Sequence, residues 1–294
     1  MHQFAEFEMY LRFDPGQRGL AQELRPGTLA IAADRLLQAS RITIATGFFV
    51  PAAGAVETDG PPGAAFLARA LERLGKQVTI LCPQAALQAM LVCKEHLQAS
   101  FTVFPLTPGT IVSQGILDEV PCDVFVGLEY PGQGADGTCR NMRGRDISEF
   151  VPILDGVLNA AKIRGLHTIA VGDGGNELGC GSAGFRVAYT PEGTCIASVS
   201  DADTIICAGI SNWGAYAVIA ALSVLENAEL LPTAEEEYEL LLKLCSVGVV
   251  DGCTHNCVPT VDGMTTDVCI GFLRELNALT EQFLEQRKAA ATSA

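Results

Sequence analysis

The chain has 294 residues, 49% of them hydrophobic, and a formal net charge of −15 from 34 acidic and 19 basic side chains. That length accommodates one large α/β domain, or one with a modest appendage. The acidic balance excludes nucleic acid as an expected partner, since phosphate neutralisation needs a basic surface, whereas a few local arginines still permit an anionic small molecule. The N-terminus lacks a basic region leading into a long apolar core, and no uninterrupted apolar run reaches membrane-spanning length, so neither a secretory leader nor a membrane partner is expected. Eleven cysteines, an odd number scattered through apolar runs, fit buried reduced thiols in a cytoplasmic protein. A homo-oligomer is left open.

In chain order, residues 1–27 read as an N-terminal arm or partial helix closed by Pro26-Gly27, and 28–294 as a single domain. Thr28 is placed to cap a helix over 28–40, and 41–50 is the first strand. Residues 51–62, rich in Gly and Pro and carrying two acids, read as a loop over the sheet edge before a helix at 63–74. Strands are then predicted at 76–82, 101–104, 123–128, 166–171 and 200–208, alternating with helices at 84–97, 112–119, 147–163 and 214–225. Continuous apolar strands alternating with helices imply a three-layer α/β/α sandwich with a mostly parallel, Rossmann-like sheet of about six strands. Residues 233–294 form an acidic helical C-terminal cap, with helices at 233–244 and 268–286. Right-handed crossovers place the functional loops at the strand C-termini.

The polar candidates fall at those ends. Gly172-Asp173-Gly174-Gly175-Asn176-Glu177 follows a strand directly, and its glycines suit a main chain that bends sharply or lies against a ligand. It is neither a dinucleotide fingerprint nor a phosphate loop, and two carboxylates four positions apart disfavour bound phosphate. Asp173 and Glu177 are candidate catalytic acids, with a structural turn capped by Glu177 as the competing reading. Glu129-Tyr130-Pro131-Gly132 closes the preceding strand, and Arg140, Arg143 and Arg145 lie within six residues of one another. An arginine in a pocket can hold a carboxylate bidentately, which makes Arg143 the first candidate anchor and Arg145 the second. Ser211-Asn212-Trp213 opens a helix, where Ser211 or Asn212 can act as N-cap and Trp213 can wall a pocket. Cys253-Thr254-His255-Asn256-Cys257 matches no standard zinc knuckle, so zinc is not expected there, and Asp251-Gly252 and Asp262-Gly263 read as turns at the rim of the site. His2, His96 and His167 form no triad pattern.

The strings Glu129–Gly132, Asn141-Met142-Arg143-Gly144, Gly172–Gly179 and Ser211–Gly214, in this order and spacing, resemble the C-terminal domain of the D-glutamate cyclase family and its stand-alone bacterial relatives. Departures are Cys180, where members often carry Met, and the Cys253–Cys257 segment. The resemblance implies reversible cyclisation of D-glutamate to 5-oxo-D-proline with loss of water, a hydro-lyase activity. On that reading Arg143, with Arg145 in reserve, anchors a carboxylate, Asp173 or Glu177 deprotonates the amine, and Glu129 is an acid or a metal ligand. Asn141, Asn176, Ser211, Asn212, Trp213, Gly174 and Gly175 complete the substrate-binding set. No cofactor is required, although a divalent cation (Mg or Mn) on Asp173, Glu177 and Glu129 would serve instead to polarise the carboxyl. Other readings that share the arginines are hydrolysis of a related 5-oxo-acid and a non-catalytic dicarboxylate sensor, the latter gaining nothing from the acids. A phosphate-binding sugar enzyme is weaker still, for want of a lysine near the loop.

Overall fold

The structure, a computed structural model, describes residues 4–292; His2 lies outside them. Its elements run α1 (Ala5–Leu11), α2 (Thr28–Gln38), β1 (Arg41–Ala45), the hairpin β2 (Phe49–Val50) and β3 (Ala55–Val56), α3 (Pro61–Arg73), and β4 (Gln77–Pro83). Then come α4 (Leu87–His96), β5 (Thr102–Leu106), α5 (Ile116–Glu119), β6 (Val124–Leu128), α6 (Asp155–Ile163), β7 (His167–Gly172) and α7 (Gly181–Gly184). The chain continues through β8 (Thr204–Cys207), α8 (Ser211–Glu226), α9 (Ala234–Ser246) and α10 (Thr266–Thr292).

Six strands form one parallel sheet in the order β5-β4-β1-β6-β7-β8. Alternate side chains go to opposite faces, as the strand period requires. Val124, Val126 and Leu128 of β6 join the larger core under α2, α3 and α8, while Phe125 joins Leu154, Val157 and Leu158 on the α6 side. The fold is therefore an α/β sandwich around a parallel sheet, with a C-terminal helical region packed on α8. Pro105 is tolerated because β5 is an edge strand. Among the described residues no helix is long and apolar enough to cross a membrane, and all eleven cysteines are free thiols.

Several boundaries differ from the sequence reading. The strand expected over 41–50 stops at Ala45, because Gly47 takes a positive φ of 112° that turns the chain out of the sheet into the β2–β3 hairpin. The helix expected from 147 begins only at Asp155, since Pro152 lacks an N–H and restricts the residue before it. The strand expected from 200 begins at Thr204. Residues 200–202 instead bind the loop after β7: Ser200 O accepts from Gly181 N–H, and Ala202 N–H donates to Gly179 O.

Residues 5–24, read from sequence within an arm, pack into the fold. Phe7, Leu11 and Leu20 are fully buried, and the Phe7 ring lies 5.2 Å from that of Phe283 on α10. The Glu8 carboxylate accepts from the N–H groups of Gly27 and Leu29 at 2.9 and 3.2 Å, so it and not Thr28 caps α2. Thr28 has no side-chain capping bond, and its hydroxyl donates to Arg25 O. An anionic cap complements the positive end of the helix dipole.

Where α8 meets α9, the Tyr216 hydroxyl donates to Glu237 Oε1 at 2.8 Å, both residues being fully enclosed. Burial pushes the Glu237 carboxyl from its usual 4.5 up to about 7. A raised carboxyl contributes stability that is present in acid and lost as pH rises through the folded value. Urea unfolding should therefore show the Glu237→Gln variant gaining about 2 kcal/mol on the wild type between pH 5 and pH 8.

Candidate active site

The sheet order reverses direction between β1 and β6, and open α/β sheets bind ligands at the strand C-termini beside such a reversal. A cavity of about 280 Å³ opens there, lined by residues from the β1–β2 turn, the end of β6, the loop after β7, residues 141–145 and residues 252–262. Glu129 and Asp173 leave the neighbouring strands β6 and β7, and Ser211 follows β8. Ser211 joins them, its hydroxyl donating to Glu129 Oε2 at 2.5 Å and its backbone N–H to Asp173 Oδ2 at 3.1 Å. Glu129 sits at φ 44°, a left-handed conformation uncommon for a residue with a side chain.

The loop after β7 is shaped by its own acid. Glu177 Oε1 accepts from the N–H groups of Asp173 and Gly174, and Oε2 accepts from Gly175 N–H, at 2.6–3.0 Å. Gly175 needs its φ of 87°, and a Cβ there would lie 2.6 Å from Gly184 Cα. The N–H groups that could have cradled phosphate are thus already spent on a carboxylate, which removes the phosphate reading. Gly174 and Gly175 serve as donors to Glu177 and do not line the cavity.

The acids that do gather are Asp59, Glu129 and Asp173, each buried, with one carboxylate oxygen apiece within 4.8 Å of the others. Asp59, just before α3, takes the place sequence reasoning gave to Glu177. Its two oxygens accept from the N–H groups of Ser211 and Asn212, both at 2.8 Å, so remote carboxylates meet the start of α8. That helix has no side-chain cap of its own; Ser211 and Asn212 are not its N-caps, because Ile210 occupies that position. Burial first, then Asp173 and the neighbouring acids, pushes the Glu129 carboxyl well above the usual range; burial and then Asp262 do the same to Asp59.

Arg18 supplies the counter-charge. It pairs with Asp173 and, at 2.8 Å, with Asp262. Burial works against its charge, but the two aspartates outweigh this and hold the guanidinium well above its ordinary value. Burial pushes Asp262 up to about 6 despite Arg18. Sequence reasoning placed Asp262 only in a turn at the rim and missed Arg18, Asp59 and Glu57. Only Asp59 carried a usable signal, an acid in a loop just ahead of Gly60-Pro61-Pro62, where proline at the first helical position marks a helix start facing the sheet edge.

Asn141 Oδ1 accepts from the N–H groups of Arg143 and Arg145 at 3.1 and 3.0 Å, turning this segment so that both exposed arginines line the cavity. Asn176 lines the cavity too and donates through Nδ2 to Arg140 O at 2.7 Å, tying the arginine segment to the loop after β7. Asn212 is spent elsewhere: its Oδ1 accepts from Gly60 and Gly63 N–H and its Nδ2 donates to Thr58 O. Trp213 does not wall the cavity. Its ring stacks between Phe13 and Phe272, at 5.7 and 4.1 Å, in the core. Cys253 and His255 stand at the rim, where Asp251 accepts from Cys253, Thr254 and Gly263 N–H and so organises the loop.

The sequence model of a family described as "D-glutamate cyclase-like, C-terminal" matches residues 7–277, an interval that contains every residue of this cavity. The chain belongs to the D-glutamate cyclase-like family. It is also similar to a human protein named D-glutamate cyclase, mitochondrial, with 35% identity over 237 residues, or 75% of this chain. The chain spans 38% of the length of that curated relative. The cyclase-like domain thus includes both the acid cluster and the Arg18 that balances it.

Replacing Arg18 by methionine keeps the stem but leaves Asp173 and Asp262 buried without their counter-charge. Urea denaturation of Arg18→Met should report a loss of about 3 kcal/mol, the scale for removing one member of a buried ion pair; an unchanged midpoint would show that the pair is not maintained.

Proposed function

We propose that this chain is a D-glutamate cyclase, converting D-glutamate reversibly to 5-oxo-D-proline and water. Family membership supports cyclisation chemistry of this type, and the observation that carries the reading is a cavity lined both by Arg143 and Arg145 and by the buried carboxylates of Glu57, Glu129, Asp173 and Asp262. The reaction forms a bond from the amine nitrogen to the γ-carboxyl carbon and breaks a carbon–oxygen bond. An amine proton and the departing hydroxide leave together as water.

Arg143 anchors a substrate carboxylate, with Arg145 beside it. Asp173 accepts the amine proton, Glu177 holds the loop that aims Asp173, and Glu129, its carboxyl pushed well above the usual range by burial and then by Asp173, delivers a proton to the leaving oxygen. Asp59, Glu129 and Asp173 also fit a hard divalent cation, magnesium or manganese, because three buried carboxylates converge there. Bound, such an ion would polarise the γ-carboxyl in place of proton delivery. Holding the flexible substrate in its cyclising conformation would itself supply much of the rate.

Chiral chromatography after incubation should detect 5-oxo-D-proline from D-glutamate and far less reaction of L-glutamate, because one pose cannot place the mirror image on anchor, base and acid together. Conversion of neither enantiomer, alongside tight binding of D-glutamate, would favour a sensor. Asp173→Asn should lower turnover about a hundredfold, whereas Arg143→Ala should weaken binding and turnover together.

Exhaustive chelation separates the two ways of activating the carboxyl. If a cation is used, activity should vanish and return with magnesium or manganese; undiminished turnover would assign the step to proton transfer.

A further inference from the structure

The cavity acids differ in what they already hold. Asp173, Glu177, Asp262 and Glu129, which line the cavity, each accept at least one hydrogen bond or ion pair, as does Asp59 beside them. Glu57 lines the same cavity at 8% exposure, and among the described residues nothing donates a hydrogen bond to its carboxylate. Burial and then Asp262 push this carboxyl well above its usual range, against the opposing pull of Arg18, as expected of a buried acid with no donor of its own. Arg18 does not meet the need, since its Nη1 serves Asp173 and Asp262 and its Nη2 faces Cys253 Sγ at 3.8 Å.

The fold makes room for this carboxylate. Thr58 N–H donates to Val250 O and Val250 N–H to Val56 O, at 2.9 and 3.1 Å, so the segment after β3 runs beside residue 250 and brings Gly252 over Glu57. Gly252 has no positive φ, so its backbone does not require glycine. A Cβ at that position would nevertheless lie 1.7 Å from Glu57 Oε2. The missing side chain is the space that the carboxylate occupies.

We infer that Glu57 receives the ammonium group of the substrate, with Gly252 as the gap that lets it do so. This rests on the reading of the cavity as the site of a dicarboxylic amino acid. Its unspent groups complement the part of such a molecule that does not react: Arg143 and Arg145 for the anchored carboxylate and Glu57 for the ammonium, which brings three N–H donors and can still turn one toward Asp173. Glu57 is a binding residue on this account, distinct from the Asp59, Glu129 and Asp173 cluster.

Calorimetric titration with D-glutamate and with glutarate, the same dicarboxylate without the amine, tests this. Wild type should prefer D-glutamate by about tenfold or more, and Glu57→Gln should lose about tenfold for D-glutamate while glutarate stays within about threefold. Gly252→Ala, which displaces the carboxylate without altering it, should give the same selective loss, and circular dichroism checks that each variant is folded. Equal weakening of both ligands, or unchanged binding of D-glutamate by the folded variants, overturns the assignment of Glu57 and leaves the site reading standing. Wild type that binds neither ligand overturns the site reading and this inference with it.

Discussion

Concentrating carboxylates in a buried cavity is the constraint to which the rest of the structure answers. Bringing Asp59, Glu129 and Asp173 within a few ångströms of one another is strongly unfavourable without compensation. The fold answers with two devices of different kinds. The start of α8 presents the N–H groups of Ser211 and Asn212 to Asp59 and Asp173, which places the positive end of a sixteen-residue helix at the cluster. Arg18 then adds a full positive charge from a segment far away in the chain. The parallel sheet matters because it delivers β6, β7 and the approach to α8 to the same edge.

Three loops complete the cavity, and each is held by an acid or amide used as a backbone acceptor. Glu177 gathers the loop after β7, Asn141 the arginine segment, and Asp251 the loop of residues 251–263. Each side chain satisfies N–H groups that a tight turn would otherwise leave unpaired. Precise loops at strand ends let Arg143 and Arg145 line the same cavity as the acids with no salt bridge to them among the described residues, while Arg18 alone of the lining arginines is paired. Among the described residues the Arg143 guanidinium has one hydrogen-bond acceptor, the Cys253 carbonyl at 3.4 Å, and Arg143 lines the cavity. Charges kept apart in this way are available to a ligand bearing both signs, and the same separation underlies the contrast between a spent Asp262 and an unpartnered Glu57.

Much of this was legible in the sequence. Apolar runs alternating with helical patterns gave the layer order, and polar residues at successive strand ends pointed to the edge of the sheet where the cavity opens. The motif strings carried the family, and Glu129, Asp173, Asn176 and Arg143 all border or line the cavity. Helix and strand limits were less legible where a residue far away decides them. Glu8 caps α2 from nineteen positions before Gly27, and residues 200–202 leave β8 to hold the loop after β7. Trp213, the only tryptophan, reads as a pocket wall from its position beside a strand end, yet the turn of α8 directs its ring into the core between Phe13 and Phe272.

By itself the sequence determined the α/β class, the sheet edge at which the cavity opens and the family, because these follow from local periodicity and from motifs whose members lie within a few residues of one another. Only the tertiary structure decided which carboxylates meet. Asp59 precedes α3, Asp262 lies in the loop between α9 and α10, and Arg18 belongs to the N-terminal segment, so no local pattern links them. The same holds for Gly252, an ordinary turn glycine in sequence whose missing side chain is filled by Glu57 from nearly two hundred residues earlier. Periodicity reports which face of an element is buried. It carries no record of which distant loops share a cavity, and the electrostatics of this site are set by that sharing.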